Sequence, residues 1–272
     1  MRAHFGVIVV LLLAVGLPAT AASAPATDTD EVALGDRLYT DAQRELEGGT
    51  PARALPLLEE YLDAGRSPTR PEHTFWAIDR VVYVLLGVKR DPDATLAFFE
   101  RIRSDARLTD IDRGAIDEGI AVASDWRAER AQTGSGLRDA ATLFERGKRY
   151  FNSGLDKTQT GIPSLASAQF DLASGYLGRF AILHPRHPRI GEVLYMLGAI
   201  RFHSRADESA WSDNFYLKES IRRFPHTELA NRSFDMLRRE AGRAYTAPSI
   251  PPELAENLRL YQDLARLLAP PA

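Results

Sequence analysis

The chain has 272 residues, of which 44% are hydrophobic and 26% charged. That is an ordinary soluble composition, with room for one long or two short folded units of roughly 100–200 residues each. Its 34 basic and 37 acidic residues leave a net charge of -3, which supplies no broad basic field and argues against a nucleic-acid partner. Cysteine is absent, which excludes disulfides, a thiol nucleophile, a cysteine metal site and the lipid-bearing cysteine of a bacterial lipoprotein.

Residues 1–24 read as a secretory signal peptide. Arg2 and His4 form a short basic start, Val7–Leu17 is an apolar run, and Ala19-Thr20-Ala21 and Ala22-Ser23-Ala24 offer cleavage after Ala21 or Ala24. The run is well short of the roughly 20 residues a membrane span needs. The mature chain is therefore expected to be exported, soluble and periplasmic, with no transmembrane span.

Residues 25–131 form the expected N-terminal helical half. Val32–Leu46 carries Leu34, Leu38, Ala42 and Leu46 at helical spacing, and Gly48-Gly49 stop it. Thr50-Pro51 restart the chain as cap and first helical residue. Ala54, Leu55, Leu58, Tyr61 and Leu62 give the next apolar face, ended by Gly65 and Pro68. A third helix opens at Pro71 and ends near Gly87, and a fourth comes after Asp91-Pro92 with Leu96, Phe98, Phe99 and Ile102 inward. Thr109 and Asp112 have the spacing of a capping box, ahead of Ile111, Ala115, Ile116, Ile120, Ala123 and Trp126. The string Gln132-Thr133-Gly134-Ser135-Gly136 is the best boundary candidate.

Residues 137–272 form the second half. Leu137, Ala140, Phe144, Gly147 and Phe151 share a face, and Ser153–Ser164 reads as a long polar connection. A helix over Ser167–Leu183 leads to the turn His184-Pro185-Arg186-His187-Pro188. The stretch Ile190–Ala230 is a helical hairpin: Leu194, Leu197, Gly198 and Arg201 lie on one strip, and Phe215, Leu217, Ile221 and Phe224 on the other. Pro225 closes the hairpin, and Thr227 is placed to cap the next helix. Helices over Leu229–Ala244 and near Pro252–Leu268 complete the chain. No run alternates as a strand would, so the expected fold class is all-α, an α-solenoid of stacked antiparallel helix pairs.

Gly198 after Leu194 and Leu197, with Ser220 and Pro225 later in the hairpin, resembles the tetratricopeptide repeat, with its small residues in both helices and its closing proline. Ala42, Ala54, Leu58 and Tyr61, and Ala94 with Phe98, fall near the same positions. The wording FAILHPRHPRIGEVLYMLGAIRF and YLKESIRRFPHTELA is similar to periplasmic members of that family, among them outer-membrane assembly lipoproteins and cell-division coordinators. The resemblance implies a non-catalytic scaffold that holds another protein on a concave surface, without cofactor. An aromatic is usual where Arg201 stands, and Ser204–Asn214 is longer than the standard turn.

The expected partner-binding residues are Trp211, Phe215, Tyr216, Arg222 and Arg223, because aromatics bordering a polar turn beside arginines have the composition of interface anchors. Arg238, Arg239 and Arg243 extend these arginines into a local basic strip, for which the competing assignment is a solvated helix face balanced by Glu219, Glu228 and Glu240. The expected partner is an envelope protein or peptide. The alternative is a small-molecule-binding accessory component of a periplasmic solute-uptake system. A third reading, a lytic-transglycosylase-like enzyme, rests on Glu208-Ser209 and Glu219-Ser220. It lacks the accompanying Gly-Leu-Met-Gln type motif, and Lys218 and Arg222 favour an ionised Glu219. His184 and His187, with His203 or His226, have no spacing of a known zinc motif, so no metal or cofactor is expected.

Overall fold

The computed structural model describes residues 28–65, 70–131, 138–204, 214–244 and 250–266. Residues 1–24 (read as a signal peptide), the glycine-rich string at 132–136, the segment 205–213 with Trp211 and Glu208-Ser209, and Pro68 lie outside the described residues. Within them every regular element is helical and no strand occurs. The helices are α1 (Asp28–Glu47), α2 (Pro51–Glu60), α3 (Pro71–Val82), α4 (Pro92–Ile102), α5 (Asp110–Ala131), α6 (Ala140–Lys157), α7 (Pro163–Leu183), α8 (Ile190–His203), α9 (Phe215–Arg223), α10 (Glu228–Ala244) and α11 (Pro252–Ala265). No helix among the described residues is long and apolar enough to cross a membrane.

Local chemistry sets most of the boundaries. Proline stands in the first turn of α2, α3, α4, α7 and α11, where its missing N–H would have had no partner. Asp91 caps α4 by accepting from the Ala94 N–H at 3.0 Å. Thr109 and Asp112 make the anticipated reciprocal box, with Thr109 N donating to Asp112 Oδ2 at 3.0 Å and Asp112 N to Thr109 Oγ1 at 3.2 Å. Thr227 caps α10 through the Ala230 N–H at 3.2 Å. Thr50 departs from expectation: its hydroxyl turns back to Glu45 and makes no cap bond to α2. Beyond α2 and α3 the backbone widens into π-type turns at Tyr61–Gly65 and Tyr83–Val88, so the third helical run continues through Gly87.

Two other expectations change. The polar stretch Ser153–Ser164 is not a long connection, because α6 runs to Lys157 and α7 begins at Pro163. Within this stretch Gly154 packs under Phe170, where a Cβ would lie 2.5 Å from the ring. Polarity there marks only the outer face, as at exposed Asn152 and Asp156. Ile111 is 72% exposed, outside the core of α5.

Most helices pack on their chain neighbours, but α3 packs chiefly on α5 and both reach α7, α8 also touches α6 and α10, and α9 touches α11. Among the described residues the apolar interior forms three clusters in series. The first joins α1–α5 to Ile162, Leu165 and Ala168 at the start of α7. The second joins the rest of α7 to α6 and α8, and the third joins α9, α10 and α11. Leu172 packs against the first and second, and Tyr195 and Met236 against the second and third. Helix α8 is buried on nearly every side, including Val193, Leu194, Met196, Leu197, Ala199 and Ile200. It therefore shows no single apolar strip, as expected for a helix inside a core.

The join between α7 and the N-terminal helices is polar as well as apolar. Ile162, at the cap position of α7, offers no side-chain acceptor. Asp79 of α3, 3% exposed, supplies one: its Oδ1 accepts the Ser164 N–H at 2.9 Å. A carboxylate at a helix N-terminus satisfies an otherwise unbonded donor and complements the helix dipole. The Trp126 indole of α5 donates to Ala168 O at 3.1 Å, and Lys157 pairs with Glu118 at 3.2 Å.

Candidate functional site

Two places combine charge, aromatic surface and access. The first is the outer face of α9, where four of the five expected partner-binding residues can be placed; Trp211 lies outside the described residues. Asn214 caps this helix by accepting the Leu217 N–H at 3.3 Å, and its amide donates to Gly198 O and Glu240 Oε2, each at 3.0 Å. That buried amide bridges α8, α9 and α10. Leu217, Ser220 and Ile221 then face inward, so Phe215, Glu219, Arg222 and Arg223 face out at helical spacing.

Phe215 is 58% exposed, a large apolar ring on the surface. Tyr216 is not beside it on that face: it is half-buried against the second apolar cluster, its ring edge-on to Phe215. Arg222 and Arg223 both pair with Glu219, at 3.7 and 2.6 Å, and Arg223 also reaches Pro185 O at 3.4 Å. The two arginines thus share one carboxylate and keep one net positive charge there, with Phe215 one helical turn before Glu219.

The second place is a cleft of about 520 Å³ beside α5 and α7, lined by Arg90, Trp126, Asp171, Leu172, Tyr176 and Arg179 among others. Its size falls in the range of small-ligand pockets, about 300–1,000 Å³. One wall is set by Glu129, whose side chain is only 6% exposed. Glu129 accepts from Tyr150 and Tyr176 and pairs with Arg146 and Arg149, each at 3.1 Å. Burial pushes its carboxyl up, but the two phenols and the two guanidiniums together outweigh that and hold it below the usual carboxylate value. Burial first, and then the bonds to the Glu129 carboxylate, push both phenols up. The Tyr150 and Tyr176 rings stack at 6.1 Å. This group is fully committed to itself and ties α5 to α6 and α7.

The remaining charges in the cleft are not so committed. Asp171 and Arg179 make no hydrogen bond or ion pair among the described residues, and the Arg90 guanidinium makes none either. Burial in the cleft raises the Asp171 carboxyl, and Arg90 lowers it less. Arg90 itself has a left-handed backbone with φ 54°, at the turn into α4, and its carbonyl accepts from Arg130 at 3.2 Å. A non-glycine residue in that conformation is held there by its surroundings.

The histidines are spread out in role. His184 and His187 lie 6.5 Å apart between ring centres; His184 Nε2 bonds Arg138 O at 2.8 Å, and His187 Nδ1 accepts from Arg189 N. His226 has φ 62°, and its backbone N–H donates to Leu264 O at 2.8 Å while Nδ1 bonds Arg266 O, so it holds the end of α11. Among the described residues no group of three or more histidines and carboxylates is arranged to hold a metal ion.

Sequence reasoning missed the cleft. Its residues come from the turn before α4, from α5 and from α7, and no local spacing joins them. The one available signal was the four-residue step of Asp171, Gly175 and Arg179 along α7. Compared with known proteins, the chain matches no family model, no curated protein and no solved structure.

Proposed function

We propose that the mature chain is a non-catalytic, tetratricopeptide-like scaffold of the periplasm that binds an envelope protein or peptide. One observation carries the repeat reading: two successive hairpins repeat the same contact. In the α6–α7 pair Gly147 lies under Leu177, and in the α8–α9 pair Gly198 lies under Leu217. In both, the leucine's Cδ2, Cγ and backbone nitrogen crowd the glycine. In both, a proline comes eight residues after that leucine, from Leu177 to Pro185 and from Leu217 to Pro225. The residues that end α7 and α9 have nearly the same backbone, His184 at φ -129°, ψ 51° and Phe224 at φ -128°, ψ 54°. Stacked units of this kind present extended surfaces to partners.

The exposed Phe215 with the Glu219–Arg222–Arg223 group supports α9 as part of that surface, since aromatics and arginines anchor interfaces. In-cell photo-crosslinking from positions 215 and 222 tests this. The expected result is one and the same envelope protein captured at both positions and lost from both in Arg223→Glu. Adducts no different from those at buried Leu237 would sink the proposal. The alternative, a small-molecule-binding component of an uptake system, is favoured by a different observation, the uncommitted charges of the cleft.

A further inference from the structure

We infer that the cleft beside α5 and α7 binds a small apolar zwitterion, an α-amino acid or a short peptide, with its ammonium at Asp171, its carboxylate at Arg90 or Arg179, and its apolar side chain on Trp126 and Leu172. This goes beyond the scaffold reading and is independent of it, because the cleft does not include the outer face of α9.

Three observations meet here. First, the cleft offers both signs of charge without using them. The neighbouring Glu129 is satisfied by two phenols and two guanidiniums, whereas Asp171, Arg90 and Arg179 have no ion-pair or hydrogen-bond partner for their side chains among the described residues. Uncommitted opposite charges in one cleft match a ligand carrying both. Second, Asp171, Gly175 and Arg179 succeed one another at four-residue steps, so they form one stripe along α7. A Cβ at Gly175 would meet nothing within 4 Å, so the space between the two charged residues is open. Third, the apolar surface is positioned by its own bonds. The Trp126 N–H is consumed by Ala168 O at 3.1 Å, which fixes the indole and leaves its ring as wall. The Tyr176 hydroxyl is consumed by Glu129 in the same way.

The spacing separates two sources of this chemistry. Asp171 and Arg179 are two helical turns apart, about 12 Å along the axis. A free amino acid holds its charges two bonds apart and would use Arg90, whose charge already acts on Asp171. A dipeptide or tripeptide, extending about 3.3–3.6 Å per residue, reaches toward Arg179.

The test is calorimetric titration of the full chain with leucine, phenylalanine and Leu-Leu, alongside N-acetyl-leucine, which lacks the ammonium, and leucinamide, which lacks the carboxylate. Saturable binding of at least one of the first three is expected, with both blocked analogues weaker by about tenfold or more, the usual effect of losing a charge-assisted contact. Asp171→Asn should remove the preference for leucine over N-acetyl-leucine. Loss of binding in Arg90→Gln assigns the free amino acid, and loss in Arg179→Gln assigns the peptide. All three positions are exposed at the residue level, Asp171 with its carboxylate partly desolvated by the cleft, and circular dichroism verifies that the variants keep their fold. No saturable binding by any zwitterion, or equal binding of the blocked analogues, overturns the inference and leaves the scaffold reading intact.

Discussion

Gly198→Ala is the sharpest probe of the helix stacking. A Cβ added at 198 would stand 2.5 Å from Leu217 Cδ2, 2.6 Å from its Cγ and 3.1 Å from its backbone nitrogen. Leu217 is fully buried, so it cannot swing into solvent to make room. Overpacking of this kind costs about 1–3 kcal/mol, against which alanine returns up to about 1 kcal/mol of helix propensity. Gly242→Ala, in α10, is the matched control, since a Cβ there meets nothing within 4 Å; it gains the propensity without the clash. The two variants should differ by about 2 kcal/mol, which for a chain of this size corresponds to roughly 4–8 °C in melting temperature. Thermal unfolding monitored by far-ultraviolet circular dichroism measures the difference. If Gly198→Ala melts at or above Gly242→Ala, the close approach of α8 and α9 is not what the glycine is for. Gly147→Ala should repeat the loss through Leu177, where the added Cβ meets Cδ2 at 2.6 Å.

Buried polar groups give three further expected outcomes. Asp79→Ala removes the acceptor for the Ser164 N–H and should cost about 1–3 kcal/mol, whereas Asp79→Asn, which keeps an oxygen there, should cost less than half as much; equal losses in denaturant melts would refute the capping role. Glu129→Gln should destabilise by about 1–3 kcal/mol at neutral pH, tempered because Arg149 is 62% exposed and screened. Because the folded Glu129 carboxyl is held below its ordinary value, its contribution is complete above the ordinary glutamate range and is lost as pH falls through the lowered value. The gap between wild type and Glu129→Gln should therefore close in acid, and a gap constant down to the acid limit would contradict the network. Ser233→Val should lower the melting temperature, since the Ser233 hydroxyl bonds buried Ser220 at 3.0 Å and Leu229 O at 2.9 Å; a neutral melt would count against that link.

The helices were legible because their signals are local. Asp91-Pro92, Thr109 with Asp112, and Thr227 each act within one turn, and apolar residues at three- and four-residue steps mark the inward face. What failed to be legible was set by distance along the chain. Asp79 reads as one more helix-surface carboxylate until Ser164 is brought against it. Glu129 reads as an end-of-helix charge, because Arg146, Arg149, Tyr150 and Tyr176 come from two later helices. At Ser153–Ser164 polar composition suggested a loop, but α6 runs on to Lys157, with buried Gly154 in close contact with Phe170 across the α6–α7 pair. Arg222 and Arg223 were legible as a basic pair, but not their sharing of Glu219, which offsets one of the two charges.

The sharing of α7 between two apolar clusters has a consequence for how the molecule comes apart. Its first turns complete the interior of α1–α5, and its later turns complete that of α6 and α8. Melting either side strips one end of the same rod, so heat or denaturant should meet a single transition rather than two, and damage at Asp79 should be felt as far away as Tyr176.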